Sequence, residues 1–86
     1  MDRSEAVKKI IGLLEEEFPT LSDMDLKADT ALLSSGLLDS FAMVTVLSLV
    51  ESAFGVSVDV NTLELSLFES PATISEVAID KKYHKA

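Results

Sequence analysis

The residues best suited to chemistry are Asp39 and Ser40, which follow the apolar turn Gly36-Leu37-Leu38. A serine and an aspartate could belong to a Ser-His-Asp triad, but the only histidine is His84, close to the end of the chain. The two residue types are also good helix N-caps, a role worth about 1 kcal/mol. Taken as a dipeptide, the pair is therefore better explained as the start of a helix than as a catalytic site.

Other catalytic constellations are missing from the sequence. The absence of cysteine removes a disulfide framework, a thiolate zinc site and a cysteine nucleophile. Gly12, Gly36 and Gly55 stand apart, so there is no glycine-rich phosphate loop. The carboxylates show no spacing that suits acid–base catalysis or metal coordination. We therefore expect a protein that is not an enzyme and that has no metal site.

Composition and charge further limit the kind of protein and the kind of partner that we expect. The 86 residues predict a single domain, and the formal net charge is -8. Between Lys27 and Lys81 there is no Lys or Arg, so the surface should repel nucleic acid and favour partners with basic surfaces, although such charge also serves solubility alone. The sequence has neither a signal-peptide pattern nor a membrane-spanning run, and we expect a cytoplasmic monomer that does not insert into membranes.

Two long segments have the periodicity of amphipathic helices. The first begins at the capping residue Asp2 and ends before Pro19, with its apolar stripe at Val7, Ile10, Ile11, Leu14 and Phe18. Residues 19–38 have no sustained period but many apolar side chains, which predicts a long loop packed over the core. The second helix runs from Asp39 or Ser40 to about Phe54, and its stripe comprises Met43, Val46, Leu47, Val50 and Phe54.

The exposed side of this second helix is unusual. Glu51 is its only charge after the start, and Phe41 and Val44 fall outside the buried stripe. An exposed helix face with an aromatic residue and little charge is typical of a contact surface.

Residues 56–68 allow two interpretations. Val56, Val58 and Val60 alternate, as do the leucines that follow, which favours a hairpin turning at Asn61-Thr62. However, Asn-Thr is a poor two-residue turn, and a hairpin without further strands is marginally stable. The alternative is a connecting segment followed by a short helix capped by Asn61.

The last helix is predicted to begin near Thr73, because Thr73-Ile74-Ser75-Glu76 has the form of a capping box. Ser70-Pro71 marks a break before it, and its core-facing residues are Ile74, Val77 and Ala78, with Ile79 at the edge. Lysines close this helix, where cations suit its dipole. We expect the tail 83–86 to fray and to leave His84 in solvent.

Over almost its whole length the chain resembles the acyl carrier protein family. The resemblance rests on the order of the helices, the long loop, the Leu38-Asp39-Ser40-Phe41 motif, and a second helix that ends in Glu51-Ser-Ala-Phe54-Gly55. It implies an all-α fold, a small four-helix bundle with a short third helix and a long first loop, and so it favours the helical interpretation of 56–68. It also implies that Ser40 carries 4′-phosphopantetheine, derived from coenzyme A, with Asp39 in a supporting role.

The physical setting of the predicted site agrees with this resemblance. A phosphodiester at a helix N-terminus meets free backbone N–H groups and the positive end of the dipole. The implied function is to tether acyl intermediates as thioesters in fatty acid or polyketide biosynthesis. The implied partners are a phosphopantetheinyl transferase, which supplies the chemistry and its metal, and acyl- or aminoacyl-transferring enzymes.

The chain departs from many fatty-acid carriers on its second helix, where Ala42, Thr45 and Ser52 stand at positions that are often acidic. We therefore expect docking through Phe41 and Val44, with Glu51 contributing, and a specialised pathway rather than the housekeeping one. Two alternatives stay open. One is an aminoacyl carrier (D-alanyl or peptidyl), and the other is an unmodified helical adaptor.

Overall fold

The computed structural model describes residues 2–85, which contain three α-helices and no β-strand. The helices are α1 (Arg3–Glu17), α2 (Ser40–Phe54) and α3 (Pro71–Ile79), and α1 packs mainly against α3. Single turns of 3₁₀ helix lie at Pro19–Leu21, Val60–Thr62, Leu65–Phe68 and Lys81–Tyr83. The predicted all-α class is confirmed, whereas the predicted count of four helices is not.

The first two helices follow the predicted pattern. Asp2 caps α1 by accepting a hydrogen bond from the Glu5 N–H at 2.8 Å, and α1 ends before Pro19. The helix α2 ends at Gly55, whose left-handed backbone (φ 66°) forms the C-cap. Both helices bury one stripe, with Ile10 and Leu14 from α1 and Met43, Val46 and Val50 from α2.

The long loop between α1 and α2 supplies much of the core, as its apolar residues predicted. Leu21, Leu26, Leu32 and Leu38 are all buried against the helices, together with Phe68 and Ile74. Met24 is the exception, since about half of its side chain is exposed. These four buried leucines hold the loop against the helices, so the loop packs over the core and does not extend into solvent.

Residues 56–68 do not form the hairpin that their alternating pattern favoured. Val58 is buried but Val60 and Leu65 are each 60% exposed, so the alternation does not define one buried face. The short-helix alternative was closer, although the segment forms only two 3₁₀ turns. Asp59, not the predicted Asn61, caps the first of them, by accepting from the Asn61 N–H at 3.0 Å.

The third α-helix begins two residues before the predicted start at Thr73. Ser70 is its N-cap, and a capping box joins Ser70 to Thr73: each side chain accepts from the other's backbone N–H. Pro71 occupies the first helical position, where a proline's fixed φ suits the helix and its missing N–H costs nothing. The predicted core residues Ile74, Val77 and Ala78 are buried.

The C-terminal tail is ordered over the described residues, which corrects the prediction that it frays. Tyr83 is buried, its carbonyl accepts from the Asp59 N–H at 2.7 Å, and the Lys85 N–H donates to the Ser57 carbonyl at 2.8 Å. His84 is only partly exposed: its Nε2 lies 2.8 Å from the Val77 carbonyl, and it forms an isolated bridge with Val58. Ala86, also in the predicted fraying segment, lies outside the described residues.

Two glycines give a matched pair of stability predictions. We expect Gly12→Ala to raise the free energy of unfolding by about 0.5–1 kcal/mol, because Gly12 is exposed inside α1 and an added Cβ meets nothing within 4 Å. Gly55→Ala should lower the free energy of unfolding by about 1–2 kcal/mol, because Gly55 has a positive φ that alanine disfavours. An added Cβ would meet nothing within 4 Å here either, so the loss comes from the backbone alone. Urea denaturation measures both, and equal effects of the two changes would contradict the left-handed C-cap.

Candidate functional site

Ser40 is the first residue of α2, and its side chain is exposed. Of the two predicted cap candidates, Asp39 is the N-cap: its backbone is extended and its Oδ1 accepts from the Ala42 N–H at 2.9 Å. The capping role is therefore filled by the aspartate, and the Ser40 hydroxyl is not the group that caps the helix.

The start of α2 also has the electrostatics of an anion site. The first four N–H groups of a helix have no intrahelical acceptor, and Asp39 satisfies the one on Ala42. The N–H groups of Ser40 and Phe41 belong to this same first turn, at the positive end of a 15-residue helix. A phosphodiester on the Ser40 oxygen would lie beside these donors, so the residues present fit such a group.

A closed turn, Leu32–Leu38, leads directly into this site. Its ends are joined by a hydrogen bond from the Leu38 N–H to the Leu32 carbonyl at 2.9 Å, and both leucines are buried. Gly36, with φ 81°, provides the left-handed residue that the turn requires. Because Leu38 immediately precedes Asp39, the turn fixes where α2 begins.

Glu69, just before α3, holds this turn from outside. Its backbone carbonyl accepts from the Leu32 N–H at 2.6 Å. Its carboxylate oxygens accept from the Ser34 N–H at 3.1 and 3.2 Å, and one of them accepts from the Ser34 hydroxyl at 2.8 Å. Sequence reasoning missed Glu69, since no local pattern links it to a turn 35 residues earlier.

These hydrogen bonds lower the pKa of Glu69 below its ordinary value of 4.5. The Ser34 N–H is the largest cause and the Ser34 hydroxyl is the next, because both stabilise the ionised carboxylate; partial removal from water acts in the opposite direction.

A pH-dependent contribution to stability follows from this lowered pKa. Ionised Glu69 stabilises the fold above the carboxyl's pKa in the unfolded chain, and this stabilisation is lost as pH falls through the lower pKa of the folded state. We expect Glu69→Gln to be less stable than the natural chain at pH 7, and the gap to close in acid. Urea denaturation over a pH series measures it, and a gap that does not change with pH would contradict the assignment.

Phe41 and Val44, the predicted docking residues, are strongly exposed on α2, at 85% and 72%. Beside Phe41 lies an open groove of about 380 Å³, formed by the end of α1, the Leu32–Leu38 turn and α2; its lining includes Phe18, Leu37 and Thr45. An exposed aromatic residue at the rim of a partly apolar groove can be buried by a partner surface.

Glu51, the third predicted docking residue, has an internal partner. Its Oε2 accepts from the Val58 N–H at 2.9 Å, and the side chain is partly buried. The carboxylate thus fixes the segment after α2 to the end of that helix.

Residues 2–85 contain neither a cluster of metal-ligating side chains nor a membrane-spanning helix. No group of three or more His, Asp or Glu side chains lies close enough together to hold a metal ion. None of the helices combines the length and the apolar character that crossing a bilayer requires.

A family model described as the phosphopantetheine attachment site matches residues 7–78, and the chain belongs to this family. Searches of curated proteins and of solved structures return no significant match. The cofactor of the family is covalent 4′-phosphopantetheine, and its carrier domains are not catalytic.

Family membership also defines the general kind of partner. Carrier domains of this family work with a phosphopantetheinyl transferase and with enzymes that handle acyl groups. When bound, the arm supplies a terminal thiol. The chain itself contains no cysteine, so this thiol would be its only one.

Proposed function

We propose that this chain is an acyl carrier protein of a specialised biosynthetic pathway, and that Ser40 bears the phosphopantetheine arm. The observation that carries the proposal is the exposed Ser40 at the first position of α2, with the capping role already filled by Asp39. The matched family model spans this serine. The arm's thiol must stay reduced to be loaded, so the proposal includes a reducing compartment such as the cytoplasm.

The proposed modification needs little from the carrier beyond presentation. The Ser40 oxygen forms a bond to the phosphorus that bears the pantetheine of coenzyme A, the bond between the two phosphates breaks, and adenosine bisphosphate leaves. The serine proton passes to a base of the transferase. Among the carrier's own residues, the N–H groups of Ser40 and Phe41 stabilise the phosphodiester that is formed.

Asp39 has a second proposed role beside its capping of α2. Its Oδ1 is engaged by the Ala42 N–H, and the residue is exposed. A carboxylate beside the attacking hydroxyl suits the magnesium ion that a transferase brings with coenzyme A, because hard divalent cations prefer oxygen ligands. This would offset the repulsion between Asp39 and the incoming phosphates.

The proposal is tested by the intact mass of the purified protein after incubation with coenzyme A, magnesium and a broad-specificity transferase. The expected result is the addition of one phosphopantetheine per chain. No addition with any such transferase would overturn the carrier function and favour an unmodified adaptor that binds through α2.

The cargo is proposed to be an acyl group rather than an amino acid. The Leu38-Asp39-Ser40-Phe41 motif lacks the glycine pair before the serine that many peptidyl carriers have. Loading of the modified protein with acyl donors and with aminoacyl donors, followed by mass measurement, separates the two. Exclusive aminoacyl loading would contradict the proposed cargo.

Partner docking is proposed to rely on apolar burial around Phe41 and Val44, with Glu51 at most a minor contributor because its carboxylate already accepts from Val58. Phe41→Ala should raise the dissociation constant for the transferase at least about tenfold, since burying a phenylalanine is worth about 1.5–3 kcal/mol. Titration calorimetry of the unmodified carrier measures this change.

The matched control for docking is Val60→Ala, which also removes an exposed apolar side chain but lies against the C-terminal turn. It should leave the dissociation constant unchanged. Affinity should also depend weakly on salt, because apolar burial is not screened. A steep loss of affinity with rising salt, together with a neutral Phe41→Ala, would show that charge governs docking instead.

A further inference from the structure

We propose that Glu69 is a positioning residue for the modification of Ser40, acting through the Leu32–Leu38 turn from which α2 begins. The inference rests on the proposed function, because it concerns how Ser40 is presented to the transferase. Glu69 does not belong to α2 and stands 29 positions after Ser40 in the sequence.

A continuous set of hydrogen bonds runs from Glu69 to Leu38, the residue that precedes the helix cap. The Glu69 carboxylate holds the N–H and the hydroxyl of Ser34, in the middle of the turn. The Glu69 carbonyl holds the N–H of Leu32, whose own carbonyl accepts from the Leu38 N–H. Leu38 is followed directly by Asp39 and Ser40, so the turn and the site form one connected structure.

The carboxylate is the part of Glu69 that controls the exposed portion of the turn. Among residues 2–85, it is the only side chain from outside the turn that hydrogen-bonds to residues 33–37. Leu32 and Leu38 are anchored separately, because their side chains are buried in the core and the bond from the Leu32 N–H uses backbone atoms. Leu33 and Leu37 also pack against the core, so removing the carboxylate should loosen mainly the exposed residues 34–36 and leave the core intact.

A loosened turn should affect recognition more than chemistry. The transferase must bind the segment on both sides of Ser40, and it binds only the fraction of carrier molecules whose turn is correctly placed. The apparent KM for the carrier then equals the KM of the correctly placed form divided by that fraction, so it rises as the fraction falls. Once bound, the turn is ordered by the enzyme, so kcat should stay near that of the natural chain.

The experiment compares KM and kcat of the transferase for four carriers: the natural chain, Glu69→Ala, Glu69→Gln and Ser34→Ala. We expect Glu69→Ala to raise KM about threefold to tenfold, the range for losing hydrogen bonds of modest net strength, with kcat within about twofold. Glu69→Gln should recover part of the loss, because its amide oxygen can still accept from Ser34. Hydrogen exchange of the Ser34 amide should quicken in Glu69→Ala.

Two control variants separate positioning from charge and from general stability. Glu64→Ala removes an exposed carboxylate. Glu64 is the N-cap residue of the Leu65–Phe68 turn, but its side chain makes no capping hydrogen bond. Asp2→Ala removes the cap of α1, worth about 1 kcal/mol, far along the chain from Ser40. Both should leave KM unchanged.

The outcomes distinguish this inference from the proposed function. If the natural chain is not modified at all, the carrier function fails. If the natural chain is modified and Glu69→Ala keeps its KM, the positioning role is overturned, as it is if Asp2→Ala raises KM equally. Should Glu69→Ala not fold, Ser34→Ala and Glu69→Gln test the same contact, and an unchanged KM in both would overturn the inference.

Discussion

Ser40→Ala is expected to abolish the addition of phosphopantetheine completely, because the substitution removes the only atom to which the arm would be joined. The variant should fold normally. Ser40 is exposed and does not cap α2, a role that Asp39 fills through the Ala42 N–H. Alanine is also the best helix former, so the first position of α2 should tolerate it without loss of stability.

The matched control is Ser48→Ala, which removes another exposed serine hydroxyl from the same helix. This variant should accept one arm, as the natural chain does, and its circular dichroism should match that of Ser40→Ala. Modification of Ser40→Ala, or loss of modification in Ser48→Ala, would mean that the attachment site lies elsewhere.

Leu32→Ala is expected to give the largest loss of stability among simple substitutions in the long loop. The Leu32 side chain has no solvent exposure, and it packs in the main core together with residues of α1, α2 and α3. Truncating a fully buried leucine costs about 2–5 kcal/mol, through lost transfer energy and the cavity that remains. A small domain has about 5–15 kcal/mol of total stability, so the variant should be close to unfolding.

The control for Leu32→Ala is Leu65→Ala, which makes the same chemical change at a side chain that is 60% exposed. Its free energy of unfolding should change by less than about 1 kcal/mol. Urea denaturation at neutral pH measures both variants. Equal effects would show that the loop is not an integral part of the core.

Much of the helical framework could be predicted from the sequence, because the deciding signals are local. The buried stripe of α2, its start behind Asp39 and its end at Gly55 all follow from spacing and from capping residues. The long loop was recognisable as core-packing from its leucines. The exposure of Phe41 and Val44 also followed from the position of the buried stripe.

The predictions were wrong where contacts between residues distant in the sequence override the local pattern. The alternation at Val56, Val58 and Val60 reflects one short extended stretch that pairs with the C-terminal tail at His84, and not a hairpin. The tail was expected to fray because nothing local reveals that Tyr83 is buried against Val58 and Val77. The start of α3 was predicted too late because two capping patterns overlap there. The pattern that begins at Thr73 was chosen, whereas Ser70 is the N-cap and Pro71 is the first helical residue.

In the candidate site, too, the local motif could be predicted and the contact between residues distant in the sequence could not. Asp39 and Ser40 are visible as a motif, and their interpretation as an attachment site needed the resemblance of the whole chain to carrier proteins. Glu69 gave no signal, since its partner Ser34 is distant in sequence and a glutamate before a helix is ordinary. Glu69, for which we propose a positioning role, was therefore harder to find than Ser40 itself.

Locating the arm within the modified protein is the most direct test of Ser40 as the attachment site. Trypsin would leave Ser40 in one long peptide with several other serines, because no Lys or Arg lies between Lys27 and Lys81. Electron-transfer fragmentation of the intact modified chain avoids this difficulty. Fragments that end at Asp39 should have the unmodified mass, and those that extend through Ser40 should carry one phosphopantetheine. An arm on any other residue, or none on the chain, would contradict the assignment of Ser40.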